Sequence, residues 1–125
     1  MRFLLLQGDK DSYWSAFLAD VIVPLGNLTA AVAQDWMANE GEEPDGLIIV
    51  DATTVEQVEK LVSRLCAENP QRRVVVMTAS PTWQRARAAF ESGAVDYLPK
   101  TLPVDELRAT FEHLLGQSFL RGKSD

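Results

Sequence analysis

Five short, nearly continuous apolar runs punctuate the chain, and each is followed by a stretch whose apolar residues recur at helical spacing. The first, RFLLLQ, is bounded by Gly8 and reads as a strand buried on both faces. Residues 12–23 then place Trp14, Phe17, Leu18 and Val21 on one helical face, and Pro24 and Gly26 end it. Residues 28–33 (LTAAVA) are expected as the second strand, with a brief helix over 35–39 and a loop over 41–45. The third run, residues 47–50, closes in Asp51. Thr54, with Gln57 three positions on, predicts a capping box opening a helix. That helix turns Val55, Val58, Leu61, Val62 and Leu65 inward and stops at Asn69-Pro70. The fourth run, residues 74–77, leads into Thr78, and Ser80-Pro81 predicts a cap followed by proline at the first helical position. Gly93 marks the end of that helix. A fifth strand is expected over 95–98, and Pro103 opens a last helix with Val104, Leu107, Phe111 and Leu114 inward. Its early acids, Asp105 and Glu106, suit the positive end of the helix dipole.

Strand-helix alternation repeated five times predicts a parallel sheet with helices on both faces. In such sheets ligands gather outside the carboxyl ends of the strands. The residues that matter are therefore Gln7 to Asp9, Asp51, Thr78 and Lys100. Each alone has an ordinary explanation: a turn carboxylate, a hydroxyl bonded to backbone, a solvated lysine. Together they supply a nucleophile, a hydrogen-bond donor and a cation. A phosphoryl group on Asp51 would present oxygens that Lys100 neutralises and Thr78 hydrogen-bonds.

Composition narrows the setting. The 125 residues fit one domain, and 12 basic against 18 acidic side chains leave a formal charge of −6. Direct nucleic-acid binding is not expected of so acidic a surface. No apolar run approaches the ~20 residues that span a bilayer, and no secretory leader is visible, so no membrane partner is expected. A single cysteine, Cys66, excludes an internal disulfide framework and suits a reducing, cytoplasmic setting. Cys66 and Trp14, Trp36 and Trp83 read as packing, and His113 as surface. Domain limits are expected at 1–115, with a polar tail or linker over 116–125.

The stretch FESGAVDYLPKTLPVDELRATF, residues 90–111, resembles the C-terminal half of bacterial response-regulator receiver domains. The likeness extends over the chain to Leu115, with LIIVD similar to the family's phosphoacceptor strand and MTAS to its switch-hydroxyl strand. It implies a flavodoxin-like, doubly wound five-stranded sheet of order 2-1-3-4-5. It also implies Asp51 as phosphoacceptor, Thr78 and Lys100 as its readers, and Tyr97 as the aromatic that turns inward on activation. The implied role is two-component phosphorelay signalling, with a histidine kinase or phosphotransfer protein as donor and no metabolic enzyme activity. An effector domain or a homodimer would use the last two helices, where, with the strand between them, Arg85, Arg87, Glu91, Asp96, Arg108 and Glu112 bring mixed charge.

Departures from the pattern concentrate at the metal site. The family's acidic pair at the end of strand one, which helps hold Mg²⁺, falls here on Gln7 and Gly8. The implied ligands reduce to Asp51, the Thr53 backbone, and Asp9 or Gln7, so magnesium binding is expected to be weakened. Thr101 replaces the proline after the lysine, and Thr53-Thr54 replaces a methionine-proline pair. The alternative is a pseudo-receiver acting as a phosphorylation-independent interaction module. A more remote one is a small flavin or nucleotide carrier, for which QGDKDS is a poor phosphate loop.

Overall fold

The computed structural model of the chain describes residues 1–9, 13–39 and 41–116. Five strands alternate with five helices: β1 (Arg2–Gln7), α1 (Tyr13–Ile22), β2 (Asn27–Val32), α2 (Ala33–Asn39), β3 (Leu47–Asp51), α3 (Val58–Glu68), β4 (Arg73–Thr78), α4 (Trp83–Ser92), β5 (Asp96–Pro99) and α5 (Val104–Leu115). All neighbouring strands pair in parallel, in the order β2-β1-β3-β4-β5, as expected.

Alternation along the strands divides the core into two layers. Phe3, Leu5, Ile49 and Met77 meet Leu18 and Ile22 of α1 and Leu107 and Phe111 of α5. Leu4, Leu6, Ile48 and Val76 face the other way, against Met37 of α2, Val62 and Leu65 of α3, and Ala89 of α4. Burial on both faces is why these strands read as unbroken apolar runs.

Helix starts differ most from expectation. Thr54 does not cap α3; the helix begins at Val58 after Gln57, which adopts a left-handed conformation (φ 53°) and makes no side-chain cap bond. The Thr54 hydroxyl is engaged elsewhere, as described below. Ser80-Pro81 does not open α4 either: Thr82 is the cap, its hydroxyl accepting from Arg85 N at 3.2 Å. The Ser80 N–H turns back to Thr78 Oγ1 at 3.2 Å instead. Ala33 opens α2 directly, ending β2 one residue early. Phe17 and Val104 are more exposed than their helical phase predicts, at 36% and 37%, and Trp83, expected as packing, is 69% exposed. Gly93 ends α4 as expected, in the left-handed region at φ 117°, where a side chain would be strained. Ser12 and, beyond Gly116, the tail lie outside the described residues.

At the opposite end of the sheet from the strand tips, Arg72 ties several elements together. It pairs with Glu43 at 2.8 Å and Glu68 at 3.4 Å, donates to the Leu65 carbonyl at 3.0 Å, and lies 5.3 Å from the Trp36 ring centre.

Candidate functional site

Strand register assembles the site. Leu6 stands opposite Val50, so Gln7 and Asp51 follow as neighbours at the tips of β1 and β3. Asp51 is opposite Met77 and Thr78 opposite Pro99, which brings Thr78 and Lys100 to the same end. The Lys100 N–H then donates to the Thr78 carbonyl at 2.8 Å.

The Asp51 side chain has no solvent exposure, and both of its oxygens are engaged. Oδ1 accepts from Lys100 Nζ at 2.7 Å and from Thr53 N at 2.9 Å. Oδ2 accepts from the Thr54 hydroxyl at 3.1 Å. That hydroxyl in turn accepts from Gly8 N at 2.9 Å, linking the tip of β1 to the carboxylate. Thr53 Oγ1 accepts from Ala79 N at 3.2 Å and pins the same loop to the β4 tip. Over the top, Lys100 Nζ lies 4.3 Å from the centre of the Trp14 ring, a cation–π geometry. A buried carboxylate held by a cation and two donors is the stable way to keep a charge out of water.

The other expected residues fall in different settings. Thr78 is buried, its hydroxyl accepting from Ser80 N. Tyr97 packs against the α2–α4 layer, with a buried hydroxyl that has no hydrogen-bond partner among the described residues. Gln7 is buried beside Asp51, and its Nε2 likewise has no partner among them. Asp9 is exposed, and Asp11 lies outside the described residues.

The donor set does not suit magnesium, which prefers carboxylates with room for several waters. Of the ligands the resemblance implies, Asp51 is enclosed with hydrogen bonds on both oxygens, Gln7 offers only a buried amide, Thr53 only its backbone, and Asp9 is exposed. Among the described residues no group of three or more His, Cys, Asp or Glu is placed to hold a metal. Gly8 also has no room for an acid: a β-carbon there would collide with the Thr54 carbonyl oxygen. A cleft of about 850 Å³ opens between α2 and α3, touching Gly8, Thr54 and Gln57 but not Asp51. The Thr54 loop thus stands between that cleft and the carboxylate.

Sequence reasoning missed two contributors, Thr54 as the bridge and Trp14 as the cover over Lys100. The paired threonines after Asp51 were a signal for the first. Nothing local signals the second, because Trp14 and Lys100 are far apart along the chain.

No protein-family model matches the sequence, and no curated protein matches it. Solved structures do. A response regulator from Thermotoga maritima superposes with a TM-score of 0.78 at 22% identity, over 93% of this chain and 98% of that one. An orphan response regulator of H. pylori gives 0.76 at 24% identity, over 92% and 96%. A putative pilus assembly protein from Burkholderia thailandensis gives 0.78 at 19% identity, over 94% and 99%. The chain has a receiver fold. In this fold Asp51, Thr78 and Lys100 meet at the carboxyl ends of the strands, and the tip of β1 carries Gln7 and Gly8 against the Thr54 loop. No helix among the described residues is long and apolar enough to cross a membrane.

Proposed function

We propose that the chain is a receiver-type signalling module that engages protein partners without needing phosphorylation, with Asp51 kept as a buried structural acid. The supporting observation is the closed environment of Asp51: fully buried, with Lys100, Thr53 N and Thr54 Oγ1 on its oxygens. Phosphoryl transfer needs a carboxylate oxygen free to reach phosphorus in line with the leaving group. Here the carboxylate has no solvent exposure, and the Thr54 hydroxyl holds the oxygen that Lys100 leaves free.

The partner surface in this reading is α4. Trp83 and Phe90, seven residues apart and so on one helical face, are 69% and 49% exposed. Paired exposed aromatics of this kind are good anchors for a protein partner such as an effector domain.

A working phosphoacceptor is the second reading, favoured by the gathering of Asp51, Thr78 and Lys100 at one strand end. In it an Asp51 oxygen attacks the phosphorus of a kinase phosphohistidine, the P–N bond breaks, and the imidazole leaves. Lys100 and Thr78 would then hold the phosphoryl oxygens. Intact mass after incubation with a small phosphodonor in magnesium separates the two readings. The interaction-module reading expects no adduct; a single phosphoryl adduct that disappears in Asp51→Ala would sink it.

A further inference from the structure

The two edges of the sheet are built differently. At one edge, β5 has four residues, begins with Asp96 and ends with Pro99, which has no N–H to offer. Short length, charge and proline are the usual protections of an exposed edge. At the other edge, β2 has six residues, NLTAAV, with neither charge nor proline, and among the described residues it pairs with β1 alone. Asn27, Thr29 and Ala30 are exposed, and Val23, at the bend leading into the strand, is 67% exposed.

Charge sharpens the contrast. No charged residue occurs from 21 to 34, between Asp20 and Asp35, and this is the longest uncharged stretch in a chain of net charge −6. Two copies repel each other over most of their surface, and least where neither carries charge. Identical strands meeting antiparallel exchange backbone hydrogen bonds, and here they would oppose no like charges.

We propose that β2 is the docking edge for a second copy of this chain, the two β2 strands pairing antiparallel across a two-fold axis. Such a contact is isologous and closes at two copies. It joins two five-stranded sheets into one and leaves the α4 face free. Pairing of two six-residue strands covers less than the ~1,600 Å² of a standard interface, so the dimer forms only at high protein concentration. Because the contact is uncharged and the rest of the surface repels, added salt strengthens it. The inference does not depend on whether Asp51 accepts phosphate.

Sedimentation equilibrium of the full chain over a range of concentration and salt tests this. The expected result is a monomer–dimer equilibrium whose dissociation constant falls as salt rises, with slower hydrogen exchange of β2 amides in the dimer. The Thr29→Lys variant, and separately the double variant Thr29→Lys/Ala30→Lys, should weaken the dimer by at least about tenfold. Both positions are exposed, and a native circular dichroism spectrum checks that each variant folds. Trp83→Ala should leave the dimer intact. The proposal is overturned by a monomer at every concentration in high salt, by loss of the dimer in Trp83→Ala, or by an open-ended ladder of oligomers. A β2 edge that takes up an unrelated peptide strand but not a second copy overturns it too.

Discussion

Lys100 Nζ and Asp51 Oδ1 stand 2.7 Å apart, with the carboxylate fully buried and the lysine side chain only 14% exposed. The two halves of this pair are unequally dependent on each other. Removing the lysine leaves a negative charge in the interior, whereas removing the acid leaves an ammonium that can turn to water. Lys100→Ala should therefore cost about 3–5 kcal/mol and Asp51→Ala distinctly less. Urea unfolding of both variants measures the difference, and equal small losses would show that the pair carries little of the stability.

The Thr54 hydroxyl serves Gly8 N and Asp51 Oδ2 at once. Thr54→Val keeps the shape but leaves a buried acceptor without its donor. We expect a loss of about 1–3 kcal/mol, and easier access of a small phosphodonor to Asp51, read by intact mass. Unchanged stability would mean that water replaces the hydroxyl without penalty.

Gly8 has no room for a β-carbon because the Thr54 carbonyl occupies that space. Gly8→Ala should destabilise by about 1–3 kcal/mol through overpacking against backbone. Gly8→Asp should be at least as unstable and should not acquire a magnesium-dependent change in tryptophan fluorescence. A well-folded Gly8→Asp protein that responds to magnesium would contradict the packing described here.

Gln7 Nε2 is buried with no hydrogen-bond partner among the described residues. Replacing it with an apolar side chain of similar length removes that cost, so Gln7→Met should raise stability by about 1 kcal/mol in thermal or urea unfolding. A loss of stability would show that the amide is satisfied in solution.

Acid should loosen the surface ties. The side-chain hydrogen bond from Arg64, helped by Arg72, holds the Glu68 carboxyl below its ordinary 4.5. The Arg2 backbone N–H holds Asp45 below 3.8 in the same way. A folded-state pKa below the unfolded one contributes stability that is fully present above the ordinary value and lost as pH falls through the depressed one. The urea midpoint should therefore decline as pH drops below the ordinary carboxylate range, and Glu68→Gln should flatten part of that decline. An identical slope in the variant would remove Glu68 from the account.

The β-α alternation was legible because strands buried on both faces must be apolar at nearly every position, as LIIV and VVVM are. The strand-tip residues followed from that alternation, since topology alone brings Asp51, Thr78 and Lys100 to one end. Helix caps were less legible. Thr54 has the right spacing for a capping box with Gln57, but the buried Asp51 carboxylate competes for the same hydroxyl and wins it. Ser80 and Thr82 both precede α4, and only the backbone path decides which one caps it. The Trp14 cover depends on the Lys100 side chain reaching back across the strand tips to α1, which no local pattern encodes.

The close fit of Gly8 against the Thr54 loop also bears on which sequences can be reached from this one. An acid introduced at position 8 meets a backbone atom, so the loop would first have to be rebuilt before the acid could be accommodated. Rebuilding the loop first strips Asp51 of a hydrogen bond and gains no ligand in exchange. Either order passes through a less stable intermediate, so no single substitution at position 8 or in the loop leads smoothly from this arrangement to one with an acid at the β1 tip.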